Sequence, residues 1–419
     1  MKPAEPPMPA SVVSESVLRR RFIFLTLGYH PDQAGGAFRY VAEVAEGLAT
    51  RGHRVHVVYP SAVSNPEQEV RHQVNLHRFP EAQGFFASNW ITENRRAASH
   101  LKALLSDASP SLVVLCHAFF YPSVRHTRTA FVSLFTGPWA HEFRFSRTGT
   151  SRSALARVVD RLAAFCMHQV EGSSLRNARL ILTISDYYVR SLTSWHPGLK
   201  TSMVMMSGGV NLNRFTAPSD RTELRQRWGV DDRTFLFLAV RRLDARMGLS
   251  MLIQAFSKLP ASSLAALWIA GKGPERDALQ SQIDRLKQSH RIRLQGFVPE
   301  AQLPELYAAA DCTVVPSLAL EGFGLVLVES LACGTPVIGA DSGAIPEVLS
   351  PLDHALLFPT GSEPALHQIL ERICSLRLSL PTRTACRTFA ESQFRWDKPI
   401  RAVEVAFPHA QPGESAQHS

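Results

Sequence analysis

Residues 21–60 read RFIFLTLGYHPDQAGGAFRYVAEVAEGLATRGHRVHVVYP: an apolar run, a Gly-containing loop, a periodic stretch and a second apolar run. Val41, Val44, Ala45 and Leu48 fall at helical spacing with Arg39, Glu43 and Glu46 on the other side, which predicts an amphipathic helix stopped by Gly52. Strand, helix and strand in that order predict a βαβ unit and a parallel sheet. Apolar runs at 112–116, 131–135 and 180–184 extend that sheet, and a first domain closes near Phe215. A polar stretch at 217–223 leads into a second series of short apolar runs, at 235–240, 266–270, 292–294, 312–315 and 336–339. The expected partition is a disordered leader over 1–21, a first domain over 22–215, a second over 216–390, a terminal helical segment over 391–407 and a disordered tail over 408–419. Two such sheets facing each other set their strand ends on opposite walls of one crevice.

Composition fits this layout, since 419 residues with 45% apolar content suit two cores rather than one. No stretch reaches the roughly 18–20 apolar residues of a spanning helix, and the first twenty residues lack a secretory apolar segment, so a cytoplasmic place is expected. The six cysteines show no CxxC pair and no zinc spacing, and read as small buried residues in a reducing compartment. Charge is uneven: residues 1–215 hold 24 Lys+Arg against 14 Asp+Glu, a net +10, and the remainder 21 against 22, a net −1. That field suits an anionic membrane surface, with a peripheral place at its inner face, or a phosphorylated acceptor. The excess of Arg over Lys, 38 to 7, is equally a mark of coding bias. No nucleic-acid partner is expected, and no spacing suggests a metal.

The densest chemical signal is VPSLALEGFGLVLVESLACGTPVIGADSGAIPE, residues 315–347. A polar loop with Glu321, Gly322 and Gly324 opens into an apolar helix, so unpaired backbone N–H groups and the positive helix end converge on one spot suited to phosphate. Glu329 follows at i+8. If both carboxylates are helical they lie about 12 Å apart along the axis, too far for an acid pair and suited to the two ends of one long ligand. Taken singly, Glu321 reads as a helix-end charge and Glu329 as a solvated helix residue.

This segment resembles the diagnostic stretch of glycosyltransferase family 4, in which two Glu separated by seven residues follow a Pro-Ser strand end. Here these are Pro316, Ser317, Glu321 and Glu329, followed by Gly334, Pro336, Val337, Ile338, Gly343 and Glu347. VRRLDARMG, at 240–248, resembles the family's donor-phosphate segment, with Arg242, Leu243 and Gly248 matching. Arg241 replaces its first Gly and Met247 its Lys, leaving Arg246 as the substitute cation. Gly271 and Gly273, in IAGKGP, fit a turn near the nucleotide base, as does the loop at 296–298. Gly35 and Gly36, in PDQAGGAF, match the Gly-Gly loop after the first strand, and the spacing is not GxGxxG. His117 falls near a sugar-contacting His of the family. FTGPWAHE, at 135–142, is similar to a His-Gly-Pro-Trp stretch with Thr136 at the His position, which makes Trp139, His141 and Glu142 acceptor-side candidates.

The resemblance implies an α/β chain of the GT-B type, two doubly wound Rossmann-like domains facing each other across a cleft, with the segment FRWDKPI at 394–400 leading a helix back onto the first domain. It implies retaining, metal-independent transfer from a nucleotide-diphosphate-sugar to a saccharide, glycolipid or small-molecule acceptor, in polysaccharide or glycolipid assembly. A UDP-sugar is expected ahead of a GDP-sugar, as a substrate, with no cofactor. Glu321, Arg242, Arg246 and His117 are the implied catalytic residues. Gly35, Gly36, Gly271, Gly273, Gly322, Phe323, Gly324, Leu325, Val326 and Glu329 are the implied donor contacts. The departures at Arg241, Met247 and Thr136 raise a second reading, a catalytically weak nucleotide-binding scaffold, and a third is a nucleotide-sugar epimerase on the same fold.

Overall fold

A computed structural model describes residues 19–33, 35–62, 68–82, 86–107, 109–147, 153–216 and 220–410. The expected leader up to Leu18, the tail from Gln411 and part of the 217–223 linker lie outside the described residues. The first sheet has eight strands in the order β3-β4-β2-β1-β5-β6-β7-β8. These are β1 (Arg21–Leu25), β2 (Arg54–Ser61), β3 (Gln68–Arg71), β4 (Val74–Pro80), β5 (Ser111–Leu115), β6 (Phe131–Phe135), β7 (Ile181–Thr183) and β8 (Met203–Met205). The second has six, in the order β11-β10-β9-β12-β13-β14: β9 (Phe235–Val240), β10 (Ala265–Ala270), β11 (Ile292–Gly296), β12 (Cys312–Val315), β13 (Val337–Ala340) and β14 (Leu357–Phe358). All pairings are parallel except β3 with β4.

The central strands are near-continuous apolar runs, as a sheet covered by helices on both faces requires, and Phe22 to Leu25 and Leu236 to Ala239 are fully buried. Strand order reverses between β1 and β5 in the first sheet and between β9 and β12 in the second. Ligands of such sheets bind beyond the strand ends at those reversals. The loops that leave β1, β5, β9 and β12 carry Gly35 and Gly36, His117, Arg242 and Arg246, and Glu321, and the loops after β6 and β10 lead to Trp139 and Glu142 and to Gly271 and Gly273.

Two expectations need correction, and one element had no counterpart in the sequence reading. The first strand begins at Arg21, which the sequence reading assigned to the leader. Arg21 can open a buried strand because Asp107 at 2.5 Å, Ser111 Oγ at 2.5 Å and the Ser109 carbonyl at 3.0 Å satisfy its guanidinium. The chain at 68–80 forms the hairpin β3–β4, whose turn residues His72 and Gln73 adopt φ of 47° and 65° without the Gly or Asn that signals such a turn. Cys166 is exposed on the outer face of the helix Ala154–Asn177, unlike Cys116, Cys312, Cys333 and Cys386, which are buried.

The helix Asp397–Val405 lies on the helix Gly36–Thr50 of the first domain, with Ile400 filling the space that a side chain at Gly47 would need. Glu404 fixes it there through Arg51 at 2.8 Å and His53 at 3.1 Å. Among the described residues no helix is long and apolar enough to cross a membrane.

Candidate active site

On the second-domain wall, the loop after β9 and the loop after β12 lie edge to edge. Gly248 permits this: it has φ 70°, and a Cβ there would stand 2.0 Å from the Pro316 carbonyl oxygen. Against this floor sits Glu321. The Arg241 guanidinium donates to the Glu321 carboxylate, to Ser317 Oγ at 2.7 Å and towards Met247 Sδ at 2.9 Å, and Ser317 Oγ donates to the same carboxylate at 3.0 Å. Burial opposes the Glu321 charge, but Arg241, then Arg246, more than offset it and hold the carboxyl below the usual range. The Ala344 N–H bonds the Glu321 carbonyl at 2.9 Å, so the peptide as well as the side chain is fixed.

Gly324, at φ 82°, then opens the helix Leu325–Ala332, whose first N–H groups have no side-chain cap. Glu321 therefore belongs to the loop and only Glu329 to the helix, so the helical spacing between the two carboxylates is not realised. The helix Gly36–Thr50 starts on the opposite wall behind Gly35, likewise without a side-chain cap, and a Cβ on Gly36 would come within 3.9 Å of Leu325 Cδ1. Two positive helix ends thus meet across the cleft. Asp32 steadies the first-domain loop through Tyr59 at 2.6 Å, Arg71 at 2.8 Å and Arg78 at 2.9 Å.

His117 follows β5. Its Nδ1 accepts the Phe119 N–H at 3.1 Å and its ring meets Trp139 edge-on at 5.4 Å. Burial pushes its pKa down to about 4, so at neutral pH the ring is uncharged and its proton sits on Nε2, a donor. The loop after β6 carries Thr136 and Gly137 and ends at Trp139, the first residue of the next helix, whose backbone N–H donates to Glu171 at 2.7 Å. Glu142, on the helix Trp139–Ser146, stands 3.8 Å from Arg246 on the other wall, and burial raises its pKa against the pull of Arg246 and Arg242. His141 turns into the first domain instead, stacking on Trp195 at 4.5 Å.

The cleft is also bridged by charge. Arg39 donates to Glu329 at 2.6 Å and pairs with Glu300 at 2.7 Å, and Tyr307 donates its hydroxyl to the other Glu329 oxygen at 3.0 Å. Glu300 gathers His30 at 2.5 Å and Arg214 at 2.8 Å as well; against the cost of burial these partners bring its pKa down to about 2. Glu347 receives the N–H groups of Asp186 at 2.9 Å and Tyr187 at 2.5 Å, capping a first-domain helix from the second domain.

Residues 220–393 match the family model for glycosyl transferases group 1, and residues 34–214 that for Glycosyltransferase Family 4. A GDP-mannose-dependent α-(1-6)-phosphatidylinositol monomannoside mannosyltransferase of Mycolicibacterium smegmatis is 30% identical over 337 residues, covering 76% of this chain and 80% of that one. This chain is a family 4 glycosyltransferase. Its fold is GT-B: the sucrose-phosphate synthase of Thermosynechococcus elongatus superposes with a TM-score of 0.79 at 20% identity, over 93% of this chain and 98% of the other. The Anabaena protein HepE, solved with UDP and glucose, gives 0.71 at 19% identity over 93% and 100%.

In this glycosyltransferase the expected site residues fall into three groups. Glu321, Arg246, His117, Glu142, Trp139, Gly35, Gly36, Gly322, Gly324 and Leu325 border the cleft or the helix ends that meet there, and Val326 is half-buried one residue further along. Arg242 is exposed, 3.9 Å from Asp244 and within electrostatic reach of Glu142. Phe323, Gly271 and Gly273 support the site rather than face it. Phe323 packs on Phe394 and over Gly208, while side chains at Gly271 and Gly273 would strike the carbonyls of Arg241 and Leu243. Sequence reasoning missed Arg241, Arg39 and Glu300. Arg241 was visible as a departure from the family pattern, and its link to Met247 was the signal. His168, Glu171 and His196 bring ligand-type atoms within 4.8 Å of one another, a grouping the spacing did not reveal. Glu171 uses its two oxygens on the Trp139 N–H and on His196 at 3.2 Å, which makes the group a brace for the Trp139 loop.

Proposed function

We propose that this glycosyltransferase moves a sugar from a nucleoside-diphosphate-sugar to a saccharide, glycolipid or small-molecule acceptor, with retention of configuration and without a metal. The observation that carries the reading is the meeting of two uncapped helix ends beside Arg241, Arg242 and Arg246. Charge builds on the diphosphate as the glycosidic bond breaks, and preorganised N–H groups and guanidinium ions stabilise it there. Arg246, expected as the substitute cation, turns to the Leu320 carbonyl at 3.3 Å and towards Glu142 at 3.8 Å, and Arg241 supplies from the Gly position the cation that Met247 does not, so the two departures compensate.

Glu321, fixed and ionised, orients the sugar and faces the positive charge that develops on its ring. The His117 Nε2–H binds a sugar hydroxyl. With the leaving phosphate taking the acceptor proton on the same face, no enzyme nucleophile is needed. Glu142, opposite Arg246, lies where an acceptor hydroxyl would enter. Glu329 takes the ribose once Arg39 releases it.

The M. smegmatis relative is named for GDP-mannose and HepE was solved with UDP and glucose, so both nucleotides belong in the first test. Thermal unfolding with UDP, GDP and their sugar conjugates, in EDTA, measures it. A nucleotide at 100 times its Kd adds about 2.7 kcal/mol. Stabilisation by one nucleotide, lost in Glu329→Gln, supports the reading. No stabilisation by any overturns the donor site, and with it the nucleotide-binding scaffold.

A further inference from the structure

Among the described residues thirteen large apolar side chains are exposed, and five of them lie on one helix, Ala154–Asn177. They are Leu155, Val158, Val159, Leu162 and Phe165, between 56% and 75% exposed. At 100° per residue they fall within an arc of about 120°, together with the exposed Cys166. The opposite side buries Ala164, Met167 and Glu171 against the first domain. The helix is therefore amphipathic outward as well as inward, which costs solubility unless something covers the outer stripe.

We propose that this stripe seats the protein on an anionic lipid bilayer, with the helix lying in the interface plane. The charges favour that occupant. Residues 142–161 carry five arginines against Glu142 and Asp160, Arg161 borders the stripe in an exposed position, and the whole first half carries +10. Arginines beside an apolar stripe keep their heads at the phosphates while their stems lie on the acyl boundary. The stripe is one helix wide, a few hundred Å² at most, short of the about 800 Å² per partner that a stable dimer buries.

The position gives the surface a use. The same helix carries Glu171, which holds the Trp139 loop of the acceptor wall. A bilayer at the stripe brings lipid-linked acceptors to that mouth of the cleft. This deepens the acceptor half of the proposed function and rests on it for its purpose, although binding to lipid can be measured without any transfer.

The test uses the full chain and phosphatidylcholine vesicles with or without phosphatidylglycerol. An environment-sensitive fluorophore on Cys166, with Cys166→Ser as the labelling control, reports insertion, and co-sedimentation of unlabelled protein reports binding. The expected result is a blue shift and co-sedimentation with the anionic vesicles only, weakened by salt, reduced about fivefold in Arg161→Gln and abolished in Leu162→Glu/Phe165→Glu. Unchanged stabilisation of the double variant by nucleotide shows that it is folded, and separates this proposal from failure of the donor site. No binding to either vesicle overturns the proposal. A blue shift that grows with protein concentration without lipid overturns it in favour of a second copy, and equal binding of the double variant overturns the role of the stripe.

Discussion

Glu321, largely buried, and Glu329, buried, are both carboxylates held by arginine, yet they are held in different ways. The partner of Glu321 is Arg241, from the neighbouring loop of the same domain, and the pair stays together whatever the domains do. The partner of Glu329 is Arg39, from the other domain, so the pair exists only while the cleft is shut. One is part of the floor of the site and the other is a latch across its mouth. A permanent pair sets chemistry, and a pair that breaks sets access.

The largest expected contrast is in stability. Arg241→Ala leaves Glu321 buried and uncompensated, at a cost of about 3–5 kcal/mol. Arg39→Ala leaves Glu329 with Tyr307 and, once the cleft parts, with water, and costs within about 1 kcal/mol. Denaturant unfolding of both variants measures this, and equal losses would erase the distinction. Arg39→Ala also tightens nucleotide binding severalfold by removing the competitor for Glu329, which isothermal calorimetry reads directly.

Next in size is turnover. Glu321→Gln lowers kcat by about 10²–10³-fold with nucleotide affinity kept, as for loss of one preorganised charge. Glu329→Gln raises the nucleotide Kd and leaves saturated turnover near wild type. Steady-state kinetics on the two variants sharpen the contrast, and the reverse pattern would exchange their roles.

A smaller effect tests the exchange of cations. Met247→Lys alone brings a second charge to the Arg241 guanidinium and gains nothing in rate. Arg241→Gly alone loses rate, and the double variant recovers it, with a coupling of at least about 1 kcal/mol in a double-mutant cycle. Additive effects would show that the two positions act separately.

The smallest effect is on pH dependence. The unfolded chain protonates His117 near pH 6.5, the folded one only near about 4. Its contribution to stability is complete above pH 6.5 and lost as pH falls from 6.5 towards about 4, because only the unfolded state binds the proton there. The melting temperature of wild type minus that of His117→Gln should therefore narrow as pH drops through this window. Glu43, raised by burial to about 7, works in the opposite direction and cancels in that difference.

The two walls of the site differ in how much the sequence disclosed. The second-domain wall is local: Glu321, Gly324 and the helix after them lie within a few residues, so glycine placement plus apolar periodicity located the helix start, and the resemblance of the segment to the family's own gave Glu321 and Glu329 their parts. The first-domain wall is assembled over distance. Asp32 is fixed by Tyr59, Arg71 and Arg78, and Trp139 by Glu171, pairings that no spacing rule encodes. The hairpin β3–β4 escaped because His72 and Gln73 occupy a turn that glycine normally marks, and because the buried polar residues His77 and Arg78 blur the apolar alternation of β4. The Arg39–Glu329 latch escaped because partners 290 residues apart in sequence meet only in the folded chain.

The chain passes between the domains twice, once beyond Phe215 and once near Trp396. The two passages are bonded together: the Val210 N–H donates to the Phe394 carbonyl at 2.9 Å, and Arg387 donates to the carbonyls of Phe215 and Leu212. A single tether would act as a ball joint, whereas two neighbouring tethers define an axle. The domains are left one easy degree of freedom, a swing about that axle, so the helix ends at Gly36 and Leu325 return to the same registration at each closure.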